Sequence, residues 1–172
     1  MLEVSWAESE YPQLFSALRA VGWWEGRQVE PPAEELAPCL VANDYADEFL
    51  RSFSGLSLWR RKVEPNGIAF SYGMNLGFDE KLMRMDPCAT ADAICKLAGS
   101  SFVYPIFDAG TGVAFALEDG KTLFIADTFQ GYAWTEDPFA MMDWLYFDVP
   151  RPGLALIYLP KDHRPPDFYD FD

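Results

Sequence analysis

Histidine is almost missing from this chain: among 172 residues there is one, His163, set in the proline-rich run KDHRPP. A Ser–His–Asp or Cys–His centre needs an imidazole held by a fixed partner. A lone histidine beside the C-terminal tail offers none, so catalysis of that kind is not expected. Cysteine is scarce too. Cys39, Cys88 and Cys95 form an odd count with no CxxC pair, which fits reduced, buried thiols better than a disulfide framework. With His163 they supply zinc-ligand types without the close paired spacing of a structural site, so neither metal nor cofactor is expected. Gly110 and Gly112 in DAGTGVAF lack the third glycine and following helix of a dinucleotide loop. That segment reads as a turn. No stretch approaches the roughly 20 apolar residues of a membrane span, and MLEVSWAESEYPQ has neither the basic start nor the apolar run of a secretory leader. A cytoplasmic protein is expected. Positive charge is the last shortage: 13 basic residues against 27 acidic ones leave a net charge of -14. Such a surface repels phosphate backbones and anionic lipid and attracts basic partners.

What is present is apolar and aromatic. Half of the residues are hydrophobic and 16% are aromatic, far above a disordered composition, so the acids decorate a folded body. The length suits one core, expected over 1–160, with KDHRPPDFYDFD over 161–172 as an acidic tail. Ser9 can cap a helix with Leu14, Phe15, Leu18 and Val21 on one face, stopped at Gly22. Asn43 can cap a second, whose Tyr45, Phe49 and Phe53 form a core stripe ending at Gly55. Strands are expected at 57–62 and 68–72 around the turn EPNG, the second placing Ile68, Phe70 and Tyr72 on one face. A third helix runs over 91–98, capped by Thr90, with Ile94 and Leu97 inward and Gly99 as its stop. FVYPIF is a strand that Pro105 drives to an edge or a bulge, and an exposed edge at 102–107 could pair with a copy of itself. VAFALEDGKTLFIAD is a hairpin turning at Asp119–Gly120. GYAW adds a strand, Asp137–Pro138 opens a helix over 139–146, and LALIYL gives a last short strand. Helices and strands are partly segregated, which gives an α+β fold with a mixed or mainly antiparallel sheet packed against helices.

For a partner surface, exposed aromatics flanked by acids make anchors for a basic protein. The residues chosen on that ground are Asp127, Trp134, Glu136, Asp137 and Asp143, around the hairpin end and the last helix, with Asp167, Asp170 and Asp172 of the tail; Phe168, Tyr169 and Phe171 stand among the tail acids. The alternative is that these acids serve solubility alone. Among 27 acids a catalytic pair is also conceivable, so a small acidic-site hydrolase and a regulatory or scaffold module stand beside a toxin-neutralising binder as readings.

Gly22–Trp23 and Gly26–Arg27 follow the first helix as G-W-x-x-G-R. EFLRSFSGL ends a helix on Phe53, Gly55 and Leu56, YPI carries Pro105 in a strand, and the hairpin turns at Gly120 before the closing helix. In this order the motifs resemble the third family of the SUKH superfamily of bacterial immunity proteins, over roughly Leu18 to Leu145. The chain departs from the family's pattern at Phe107 and Asp108, and at Lys121 and Thr122. The resemblance implies a SUKH-like fold and a non-enzymatic protein that binds a cognate toxin, often a nuclease, in the cytosol of its producer. A nuclease presents cations to phosphate, so an acidic inhibitor can occupy that surface. Of the two tryptophans, one indole is expected under the domain and one at its edge, with Gly26 turning the loop and Arg27 returning to body carbonyls or an acid.

Overall fold

In a computed structural model, the described residues are 2, 4–30, 40, 42–77, 87–110, 112–126, 132–135, 137–148 and 155–157. Two short helices open them, α1 Val4–Glu10 and α2 Pro12–Ala20. A single helix capped by Ser9 does not form, because Pro12 pushes the residue before it out of helical space. Tyr11 accordingly has φ -120° and ψ 57°, and Pro12 takes the first turn of α2, where its missing N–H costs nothing. Ser9 lies inside α1. The second helix ends as expected at Gly22, whose φ of +102° suits a residue without Cβ. The Trp23 N–H then reaches back to the Leu18 carbonyl at 2.9 Å. Val21 falls beyond the last turn and is exposed.

Helix α3, Asp44–Phe53, is capped by the Asn43 side chain, which accepts from the Ala46 N–H at 2.8 Å. Its Tyr45, Phe49 and Phe53 are buried. Helix α4, Pro87–Ala98, starts earlier than Thr90 because Pro87 opens its first turn. Gly99 stops it with φ +62°, and Ile94 is buried. Helix α5, Pro138–Phe147, is capped by Asp137, whose carboxylate accepts from the Phe139 N–H at 2.9 Å.

Among the described residues seven strands form an antiparallel sheet in chain order: β1 Ser57–Val63, β2 Ala69–Leu76, β3 Val103–Asp108, β4 Gly112–Leu117, β5 Thr122–Ala126, β6 Tyr132–Thr135 and β7 Ala155–Ile157. The fold is α+β. The β4–β5 hairpin closes through a three-residue turn, Glu118–Gly120, with Gly120 left-handed at φ +75°, a longer loop than a two-residue turn. Pro105 produces a bulge: the register with β4 slips between Pro105 and Phe107. It does not produce an edge. Strand β3 is third in the sheet and Val103 to Phe107 are buried, so the expected self-pairing edge at 102–107 is not available.

Phe107, Ala114 and Phe124 stand side by side across β3, β4 and β5. The Phe49 ring of α3 meets Phe107 at 6.3 Å between centroids, and Trp144 of α5 meets Phe124 edge-on at 6.4 Å. Alternate residues Pro105, Phe115 and Leu123 point the other way and are buried as well. The central strands are therefore covered on both faces. Strands β1 and β2 run past this cover, and every residue from Pro65 to Ser71 is exposed.

Candidate functional site

The loop from Gly22 to Arg27 divides its two tryptophans. Trp23 is 4% exposed; its ring stacks on Phe53 at 6.0 Å with planes 10° apart and meets Phe15 edge-on at 5.0 Å. These contacts make it the plug that joins α2 to α3. The backbone bond from the Arg27 N–H to the Trp24 carbonyl, 3.1 Å, and the left-handed Gly26 turn the loop, and Trp24 is left 57% exposed. Arg27 is buried and returns to the end of α3, donating to the Ser52 carbonyl at 2.9 Å and the Ser54 carbonyl at 2.7 Å. A cation there satisfies carbonyls that the helix leaves open and sits at the negative end of its dipole.

Beside this loop is a cleft of about 240 Å³ lined by α1, the loop and α3. Glu8, Glu25 and Glu48 are its carboxylates, with Trp23 and Arg27 also in its wall. Glu8 is ion-paired with Arg19, and Glu48 accepts from the Leu2 N–H at 2.8 Å. Trp24 does not line the cleft; it sits in the same loop between the lining residues Trp23 and Glu25, its exposed ring 5.7 Å from the Arg27 guanidinium. Carboxylates around a concave opening with an exposed indole on the same loop can take a cationic side chain from another protein. One indole under the domain and one at its edge is the expected division; which of the two is outside is decided by the fold, which buries Trp23 and exposes Trp24.

The acids chosen from sequence fare differently. Asp127, Glu136, Asp167, Asp170 and Asp172 lie outside the described residues, as do His163 and Cys39. Trp134 is placed on β6, opposite Leu123 and Ala155. Asp143 is a correction: it is 1% exposed, because α5 is apolar around nearly its whole circumference and lies between other helices and the sheet. Asp137 is corrected too. It is half-buried at the α5 N-terminus and accepts from the Tyr11 hydroxyl at 2.5 Å, tying α5 to the α1–α2 corner. Burial raises its pKa above the ordinary carboxylate value, against the opposing pull of the Tyr11, Phe139 and Ala140 hydrogen bonds. Asp143 is thus withdrawn from the surface, while Asp137 combines partial exposure with a structural bond. Gly22, Gly55 and Gly120 supply left-handed turns, while Phe53 and Leu56 are buried.

Other chemistry finds little footing among the described residues. No group of three metal-ligating side chains occurs there. Cys95 is half-buried, and burial, then the fields of Asp92 and Glu118, raise its thiol pKa, the opposite of an activated nucleophile. No described helix is long and apolar enough to cross a membrane. Compared with family models, curated proteins and solved structures, the chain matches none.

Proposed function

We propose that the chain is an immunity protein that binds a basic toxin domain in the cytosol of the producing bacterium and holds it inactive. The observation that carries this reading is the carboxylate-lined cleft on the loop that also exposes Trp24, on a chain of net charge -14. Negative charge steers a cationic partner to the surface and the indole supplies a desolvated anchor once it arrives. The SUKH resemblance supports the same direction through its motifs.

The test is co-expression with the product of the neighbouring gene, followed by purification. Rescue of growth and a one-to-one complex are expected. Trp24→Ala with Glu25→Lys should weaken that complex at least about tenfold, as loss of a central aromatic anchor does, and should leave the unfolding midpoint in place. A complex indifferent to these substitutions would move the contact away from the cleft. A harmless neighbour that binds without toxicity would favour a regulatory or scaffold module instead.

A further inference from the structure

Strands β1 and β2 form an arm whose chemistry is opposite to that of the body. Arg60, Arg61 and Lys62 are consecutive on β1, and Glu64 is the single acid between residues 57 and 76. Lys62 is paired with Asp148 and Arg60 is bonded to the Tyr146 carbonyl, which leaves Arg61, exposed on the outer face, as the cation of this run turned to solvent on a chain of net charge -14. The arm is also apolar where it is open to solvent: Trp59 is 64% exposed, and Val63, Ile68 and Phe70 are exposed as well. Register places Trp59 and Val63 on one face and Phe70 on the other, beside Lys62. Neither face is covered at the tip. The Trp59 ring is supported from below, lying over Gly73, where an added Cβ would come within 2.6 Å of it. Trp59 and Val63 together give one face of the arm an apolar strip that a partner surface would cover.

We propose that this arm docks on a second copy of the chain, against the face formed by Trp24 and the carboxylates of the cleft. The two surfaces match in both respects: cations with exposed aromatics on the arm, carboxylates with an exposed indole on the loop side. Like meeting like is disfavoured. Antiparallel pairing of β1 with β1 would bring Arg60, Arg61 and Lys62 against their own copies. The edge is also engaged within the chain, since the Tyr146 hydroxyl donates to the Trp59 carbonyl at 3.2 Å and Arg60 donates to the Tyr146 carbonyl at 2.8 Å. The arm therefore contacts its partner through side chains, and two copies exchange arms reciprocally to close the contact. The acceptor face is the one assigned above to a basic partner, so a second copy and that partner compete for it.

Sedimentation of the pure chain tests the proposal without any toxin. A monomer–dimer equilibrium is expected. Arg61→Glu and Glu25→Lys, both at exposed positions, should each weaken it by about tenfold by turning attraction into repulsion at two contacts per dimer. An equimolar mixture of the two variants should regain the dimer, because each arm then meets a face of opposite charge. A chain monomeric at every concentration, a dimer unmoved by either substitution, or a mixture without recovery would each overturn the proposal. Failure here with an intact toxin complex leaves the function above standing; a dimer with no toxin complex does the reverse.

Discussion

Trp23 and Trp24 differ by one position, and the fold gives them opposite surroundings. Trp23 is wedged between Phe15 and Phe53 with Arg19 over its ring at 5.5 Å, whereas Trp24 faces solvent. Trp23→Ala is expected to cost about 3 to 5 kcal/mol in denaturant unfolding, the range for large aromatic truncations in cores. An unchanged unfolding midpoint would show that the ring is not part of the core. Asp137 gives a pH-dependent counterpart. Its folded pKa lies above its ordinary value of 3.8, chiefly through burial. A raised acid favours the folded state fully below the unfolded pKa and loses that contribution as pH rises through the folded one. Asp137→Asn keeps one acceptor oxygen for the cap, turns its amide N–H2 toward the Tyr11 hydroxyl, which must then accept, and cannot ionise. The stability of this variant relative to the parent should therefore rise as pH climbs from below 3.8 toward neutrality; a difference flat with pH would exclude ionisation of Asp137 as the cause.

At the scale of elements, caps and breaks decide where chain segments begin and end. The Asn43 bond to the Ala46 N–H starts α3, the helix that brings Phe49 and Phe53 into the core and offers its last carbonyls to Arg27. Asn43→Ala should lower stability by about 1 kcal/mol, measured by thermal or denaturant unfolding, and no change would mean that water caps the helix equally well. Much of this level was legible from local chemistry. Asn43, Gly22, Asp137–Pro138 and Asp119–Gly120 each carry a steric or hydrogen-bonding preference that acts within a few residues. The misses are local signals outranked by a neighbour: Pro12 divided the first helix despite Ser9, and Pro87 opened α4 ahead of Thr90. Tyr45 illustrates what lay beyond local reach. Its hydroxyl meets the Thr122 side chain at 3.3 Å, and its ring rests beside Gly120, a contact between α3 and the central hairpin that no spacing announces.

Across the whole molecule the important variable is how charge is distributed. A net charge of -14 acts at a distance, so association with a basic partner should be fast at low ionic strength and slow steeply as salt is added. The arm reverses that sign locally. Lys62 is tied to Asp148 at 2.5 Å, but this pair is exposed and contributes little; Arg61 is left on the outer face. In the proposed reading, the acidic body receives a cationic protein and the basic, aromatic arm meets an acidic surface on a second copy.

Composition and local pattern by themselves determined the α+β class, most element boundaries, the plug at the Trp–Trp loop and the negative net charge. Each depends on interactions over a few residues, or on total charge, which needs no coordinates. Tertiary structure decided which acids face water, because exposure is a property of what packs against a residue. Asp143 is an acid in any reading of the sequence, yet α5 carries it inside. Trp59 and Phe70 sit in β-prone runs that resemble core strands, and they are exposed only because β1 and β2 extend beyond the helices that cover the rest of the sheet.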